Sequence, residues 1–195
     1  MGAFIEIISY LLQTVLALLL LVVLLRLLLQ QVRADFYNPI SQFVLKVTNP
    51  ILLPLRRVIP GFWGVDLAAV VLLLALQIIS IVTILLLGGY SLPNIGLLLA
   101  WGVIGVAGLV VNFYFFALLG MIILSWVAPG SGNPAVHLLH QLTEPVMAPF
   151  RKLLPPMGGL DLSPIMVFIG INIVQIFLRH AAAGVGLHPA LVIGL

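Results

Sequence analysis

Apolar residues in this chain do not alternate with polar ones; they run in long blocks. Ile7 to Leu25 is a block of 19 residues, dense in Leu and Val, that ends at Arg26. Leu67 to Leu87 is a block of 21, opened by Asp66 and closed by Gly88-Gly89. Leu162 to Leu178 is a block of 17 between Asp161 and Arg179. Ile95 to Val127 is an uncharged run of 33. A hydrocarbon layer about 30 Å thick takes roughly 17 to 25 helical residues to cross, so these blocks predict four membrane-spanning helices. The 33-residue run would be about 50 Å long as one helix, and it must tilt, kink or begin in the interface. A break near Gly102, Gly105 and Gly108 would give a fifth span. The apolar tail after Arg179 is too short to cross again.

Between the blocks the pattern changes to helical spacing. Ile40, Phe43, Val44 and Val47 recur at i, i+3, i+4, i+7, and so do Ala135, Leu138, Leu139 and Leu142. Each run follows Asn-Pro, which suits an N-cap with proline at the first helical position. Thr48-Asn49-Pro50 and Thr143-Glu144-Pro145 predict a break, because the residue before proline is pushed out of α geometry. A second short helix would then follow, over Ile51–Val58 or Val146–Leu153, carrying Arg56-Arg57 or Arg151-Lys152. These segments read as amphipathic helices lying in the headgroup layer, cations towards lipid phosphates.

The two linkers are copies of one another. Asn38-Pro39 returns as Asn133-Pro134, Thr48-x-Pro50 as Thr143-x-Pro145, and Pro54-x-Arg56-Arg57 as Pro149-x-Arg151-Lys152. Pro60, Gly64 and Asp66-Leu67 match Pro155, Gly159 and Asp161-Leu162. Every pair is 95 residues apart, and ten of the thirty positions from Asn38 to Leu67 are identical at that offset. The chain therefore divides into a first repeat, 1–94 with its loop at 33–66, and a second, 95–195 with its loop at 128–161. Each copy has two spans, so the repeats are parallel, unlike the inverted repeats of many alternating-access transporters. The fold class expected is all-α: a polytopic transmembrane protein of two parallel repeats.

Composition narrows the class. Hydrophobic residues make up 63% of the chain and charged ones 7%, against about 25% charged in soluble domains. No Asp, Glu, Lys or Arg occurs in the 77 residues from Leu67 to Thr143. Thirteen charges cannot clothe a soluble fold, so a soluble globular protein, a disordered chain and a nucleic-acid binder are excluded. Cysteine is absent, which removes disulfides and thiolate chemistry. The first six residues lack the cations of a signal peptide, so Ile7–Leu25 reads as a retained span. Seven of the eight cations lie at the end of span 1 or in the two linkers: Arg26, Arg33, Lys46, Arg56, Arg57, Arg151 and Lys152. The positive-inside rule puts both linkers in the cytoplasm and both termini outside, with Arg179 the one dissenter.

The series Asn-Pro, Thr-Glu-Pro, Pro-x-Arg-Lys, Pro, Asp161-Leu162-Ser163-Pro164 resembles the YggT family, also called YlmG-like. The first copy departs from it after Asp66, with Ala68-Ala69 for Ser-Pro, so the two copies are not expected to do the same job. The resemblance implies a multi-pass protein of the bacterial inner membrane without a settled activity. Members have been linked to salt and osmotic tolerance and to the neighbourhood of division genes, and plastid relatives to nucleoid partition and cytochrome maturation.

Candidate chemistry is sparse. Lys46, Arg56, Arg57, Arg151 and Lys152 are candidates for anionic lipid headgroups or a protein partner, and their plainer role is to hold the loops inside. Asp66 and Asp161, ten residues beyond Arg56 and Arg151, are candidates for closing the linkers by a charge pair; their plainer role is an N-cap. Arg26 stands at an intramembrane position and can snorkel towards Arg33. Gln77, Asn112, Asn172 and Gln175 are intramembrane amides that would line a polar path or hydrogen-bond between helices. His137 and His140 have helical spacing for a metal pair, but their first-copy counterparts are Gln42 and Leu45, so no metal or other cofactor is expected. No hydrolase, nucleotide-binding or zinc-protease motif is present, and no enzyme is expected. The expected function is a non-enzymatic inner-membrane scaffold or assembly protein in osmotic stress, envelope or division processes. Its expected partners are anionic lipids, an unidentified membrane protein or a second copy of the chain. The alternative is a channel or transport subunit in osmotic or potassium homeostasis, its pore lined by the four amides.

Overall fold

The computed structural model describes residues 2–127, 130, 132–153 and 161–195. Helix α1, Gly2–Gln31, runs past the predicted end at Arg26. It stops where Arg33 adopts the left-handed conformation, φ 51°, with Ala34 N–H donating to the Leu29 carbonyl and Arg33 N–H to that of Gln30. That is a Schellman closure with arginine where glycine is usual. Only the second half of α1 is packed: Leu20, Val23, Leu24, Leu28 and Leu29 are buried.

Helix α2, Pro39–Val58, is a single helix, not the two short ones the Thr-Asn-Pro sequence predicts. Its partner α5, Pro134–Leu153, is equally continuous through Pro145 and Pro149. The reason lies in which face carries the prolines. Pro50, Pro54, Pro145 and Pro149 all lie on exposed faces, four residues apart within each helix. The opposite face of α2 is anchored by buried Ser41, Val44, Thr48 and Leu52. Thr48 Oγ1 donates to the Val44 carbonyl at 2.7 Å, and Thr143 Oγ1 to that of Leu139 at 2.9 Å. Each proline removes one backbone donor, but packing holds the rest of the helix in line.

Helix α3, Leu67–Leu87, lies against α1, with Ala68 and Ala69 letting the two approach. Asp66 caps it through Ala69 N–H. Helix α4, Ile95–Val127, is one unbroken helix of 33 residues, so the fifth span does not form. Its three glycines serve close approach instead: Gly102 meets Ile78, Gly105 meets Gln77, and Gly108 meets the backbone of Gly194. Helix α6, Ser163–Gly184, packs on α4 and α5. Four helices, α1, α3, α4 and α6, are long and apolar enough to cross a membrane.

The tail does not end at α6. Gly186 turns it back at φ 65°, a 3-10 turn follows over Pro189–Leu191, and Leu187 and Val192 are buried beside Ile81, Leu85, Leu98 and Trp101. Trp101 Nε1 donates to the Val185 carbonyl at 3.0 Å. The packing of α1 with α2 and α3 is repeated by α4 with α5 and α6.

Candidate functional site

The N-terminal caps of α2 and α5 bring the two linkers together. Asn38 Oδ1 accepts from Ile40 N–H at 2.9 Å, and its amide Nδ2 donates across the repeats to the Pro134 carbonyl at 2.7 Å. Asn133 caps α5 in the same way, through Ala135 N–H at 2.9 Å. Asp35 N–H donates to Gln141 Oε1 at 3.1 Å. Both cation-bearing helices thus sit on one side of the four-helix bundle.

At the far end of each linker the first cation of the pair meets the aspartate ten residues on. Arg56 Nε lies 3.1 Å from Asp66 Oδ2, and Arg56 Nη2 also donates to Gln30 Oε1 at 2.8 Å. Arg151 Nε lies 3.2 Å from Asp161 Oδ2, and Arg151 Nη1 2.7 Å from Glu144 Oε2. The second cation is left over: among the described residues no ion pair holds Arg57, Lys152 or Lys46, and all three are exposed. The copies differ in burial. The Asp66 side chain is 3% exposed and Arg56 30%, whereas Asp161 is 43% and Arg151 39%. Hydrogen bonding from Ser163, whose backbone N–H donates to Asp161 Oδ1 at 2.9 Å, and then Arg151 hold the Asp161 carboxyl below the ordinary carboxylate value.

The four intramembrane amides do not share one place. Gln175 Nε2 donates to Asn112 Oδ1 at 2.8 Å, and Asn112 Nδ2 donates to the Gly194 carbonyl at 2.9 Å. This chain of bonds fastens the tail into the bundle. Gln77 is fully buried against Gly105, and among the described residues both its amide atoms lack a partner. Asn172 faces outward and donates back to its own helix at Phe168. His137 and His140 lie exposed on α5, and the described residues contain no group of three or more metal-ligating side chains.

Arg26 is placed in a way the sequence did not suggest. With Arg33, Gln30, Phe36 and Ser41 it lines a cavity of about 300 Å³ where α1 ends against the first turn of α2. Ser41 was not among the sequence candidates. The signal lay in the 95-residue offset: Arg26 and Ser41 stand where the second copy has Met121 and Val136.

Four spanning helices in two like-packed halves, with paired basic linkers on one side, define a polytopic helical membrane protein built by duplication. The chain belongs to the CCB3/YggT family, which matches residues 5–87 and again 100–182. It is 50% identical over 188 residues to an uncharacterized protein of Pseudomonas aeruginosa, 95% of each chain. It is 38% identical over 181 residues to the uncharacterized protein YggT of Escherichia coli K12, covering 91% of this chain and 92% of that one. A chloroplastic YlmG homolog protein 2 of Arabidopsis thaliana matches at 40% over 75 residues, 34% of this chain and 30% of its own. No solved structure matches the chain.

Proposed function

We propose that the protein is a non-enzymatic scaffold of the bacterial inner membrane. Its α2 and α5 lie in the cytoplasmic headgroup layer as amphipathic helices and dock anionic lipid together with a protein partner. The observation that carries this reading is the division of labour in each cation pair. Arg56 and Arg151 are spent on aspartates, while Arg57 and Lys152 stay exposed and unpaired at the same repeat position, joined by Lys46. Exposed cations near an anionic leaflet contribute about 1 kcal/mol each. The two helices are tied together near their N-terminal ends by Asn38–Pro134 and Asp35–Gln141.

The channel reading has less support. Of the four amides that would line a path, only Asn112 and Gln175 meet, and both are engaged in fastening the tail.

Photo-crosslinking residues placed at Lys46, Arg57 and Lys152 in intact cells test the scaffold reading. The same membrane protein should be captured from both linkers, and capture from Lys46 should be lost on Arg57→Glu with Lys152→Glu. Unchanged capture by that double variant, correctly inserted, would remove the proposal.

A further inference from the structure

The cavity at the end of α1 has the composition of an anion site, and two of its polar residues, Arg26 and Ser41, have apolar counterparts in the second repeat. Two guanidinium groups line it, Arg26 and Arg33, and no acidic residue does. Among the described residues neither arginine has an ion pair. The two carboxylates of this linker have partners of their own. Asp66 is bound by Arg56, and Asp35 accepts from Tyr37 N–H at 2.9 Å. Arg56 itself stands behind the cavity wall, bonded to Gln30.

Two buried polar atoms in this wall lack a partner among the described residues. Ser41 is 4% exposed, and among the described residues its hydroxyl has no hydrogen-bond partner; the Nε of Arg26 is buried and has none there either. A buried donor left unmade is costly, and a cation on a spanning helix is costly as well. Ser41 also lies in the first turn of α2, the end of a helix whose dipole favours a negative charge. Planar guanidinium groups and a hydroxyl are the donors that a tetrahedral phosphate takes.

The second repeat provides the control. At the equivalent positions it has Met121 and Val136, and Met121 is buried in an apolar cluster with Met147 and Val167. The shared fold therefore needs neither the guanidinium nor the hydroxyl. Arg33, held at φ 51° in the place that suits glycine, is a further departure from what the backbone alone would choose.

We infer that this cavity binds the phosphate group of an anionic membrane lipid, with Arg26, Arg33 and the Ser41 hydroxyl as donors. The lipid is favoured over free phosphate because the cavity lies at the last turns of a spanning helix, where headgroup phosphates would lie, and its lining also includes the apolar Leu29, Phe36 and Leu45. The inference rests on the membrane placement proposed above and adds to it a single stoichiometric site apart from the exposed cations.

The test is equilibrium binding of radiolabelled phosphatidylglycerol to the full chain in mixed micelles. Sodium phosphate, at matched ionic strength, and phosphatidylcholine serve as competitors. One phosphatidylglycerol should bind per chain and resist both. Arg26→Met with Ser41→Val, the residues of the second repeat, should weaken it about tenfold, while Arg57→Glu with Lys152→Glu should leave this site intact even where it abolishes partner capture. Arg33→Gly separates binding from folding: it relieves the left-handed backbone, so melting should rise while affinity falls. Unchanged affinity in both Arg26→Met/Ser41→Val and Arg33→Gly overturns the site. Displacement by sodium phosphate as readily as by unlabelled phosphatidylglycerol overturns the lipid assignment. Loss only on reversal of Arg57 and Lys152 would show a diffuse surface instead and overturn the site, with the scaffold reading left standing.

Discussion

Asn38 and Pro134, 96 residues apart, join the two repeats: the Asn38 amide that caps α2 with its oxygen reaches over with its nitrogen, 2.7 Å from the Pro134 carbonyl. One side chain thus sets both a local helix start and the meeting of two distant linkers. Asn38→Ala should cost about 1–2 kcal/mol, the sum of a lost cap and a lost part-buried hydrogen bond. Thermal unfolding in detergent measures it. The chain has no cysteine, so single cysteines at Arg57 and Lys152 are clean reporters. An impermeant thiol reagent should reach both from one side of the membrane.

The two Arg–Asp closures should differ in strength. Removing Asp66 leaves a half-buried guanidinium without its carboxylate, and Asp66→Ala should destabilise by about 2 kcal/mol or more. Asp161→Ala removes a solvent-exposed pair and should cost less than about 1 kcal/mol. Parallel denaturation of the two variants checks the order.

Acid should open the second linker. Ser163 and Arg151 hold the Asp161 carboxyl below its ordinary value, so this closure is fully present above the unfolded carboxylate's pKa of about 3.9. Its contribution falls away as pH drops from there through the lower folded value. Carboxyl carbon NMR should find Asp161 titrating below the ordinary range. Arg151→Gln should move it up towards the ordinary value, because it removes the guanidinium that donates to Asp161 Oδ2 at 3.2 Å.

The tail is held by a close backbone approach. A Cβ on Gly108 would collide with the Gly194 carbonyl, and one on Gly194, at φ 113°, would lie 2.6 Å from the Leu109 nitrogen. Gly108→Ala should therefore push the tail out, break the Asn112–Gly194 bond and cost about 1–3 kcal/mol by overpacking. Faster carboxypeptidase trimming of the C-terminus would report the release.

Periodicity in the chain carries much of this architecture. Apolar blocks of 17 to 33 residues name the spanning helices because length against bilayer thickness is a one-dimensional quantity. The 95-residue offset names the repeat and puts Asn38 and Asn133 at helix starts, since a cap is satisfied within its own first turn. Tertiary packing decided the rest. Thr48-Asn49-Pro50 reads as a break because local rules weigh the missing donor but not the buried face of Val44, Thr48 and Leu52 that keeps α2 whole. Asp66 and Asp161 are the same residue at the same register, yet one is buried and the other exposed, because the two copies have different neighbours. The offset also could not show that Arg26 shares a cavity wall with Ser41, since that depends on how α1 crosses α2. Residue order fixes what a segment prefers by itself; partners far along the chain are chosen only when the helices close on one another and exclude solvent.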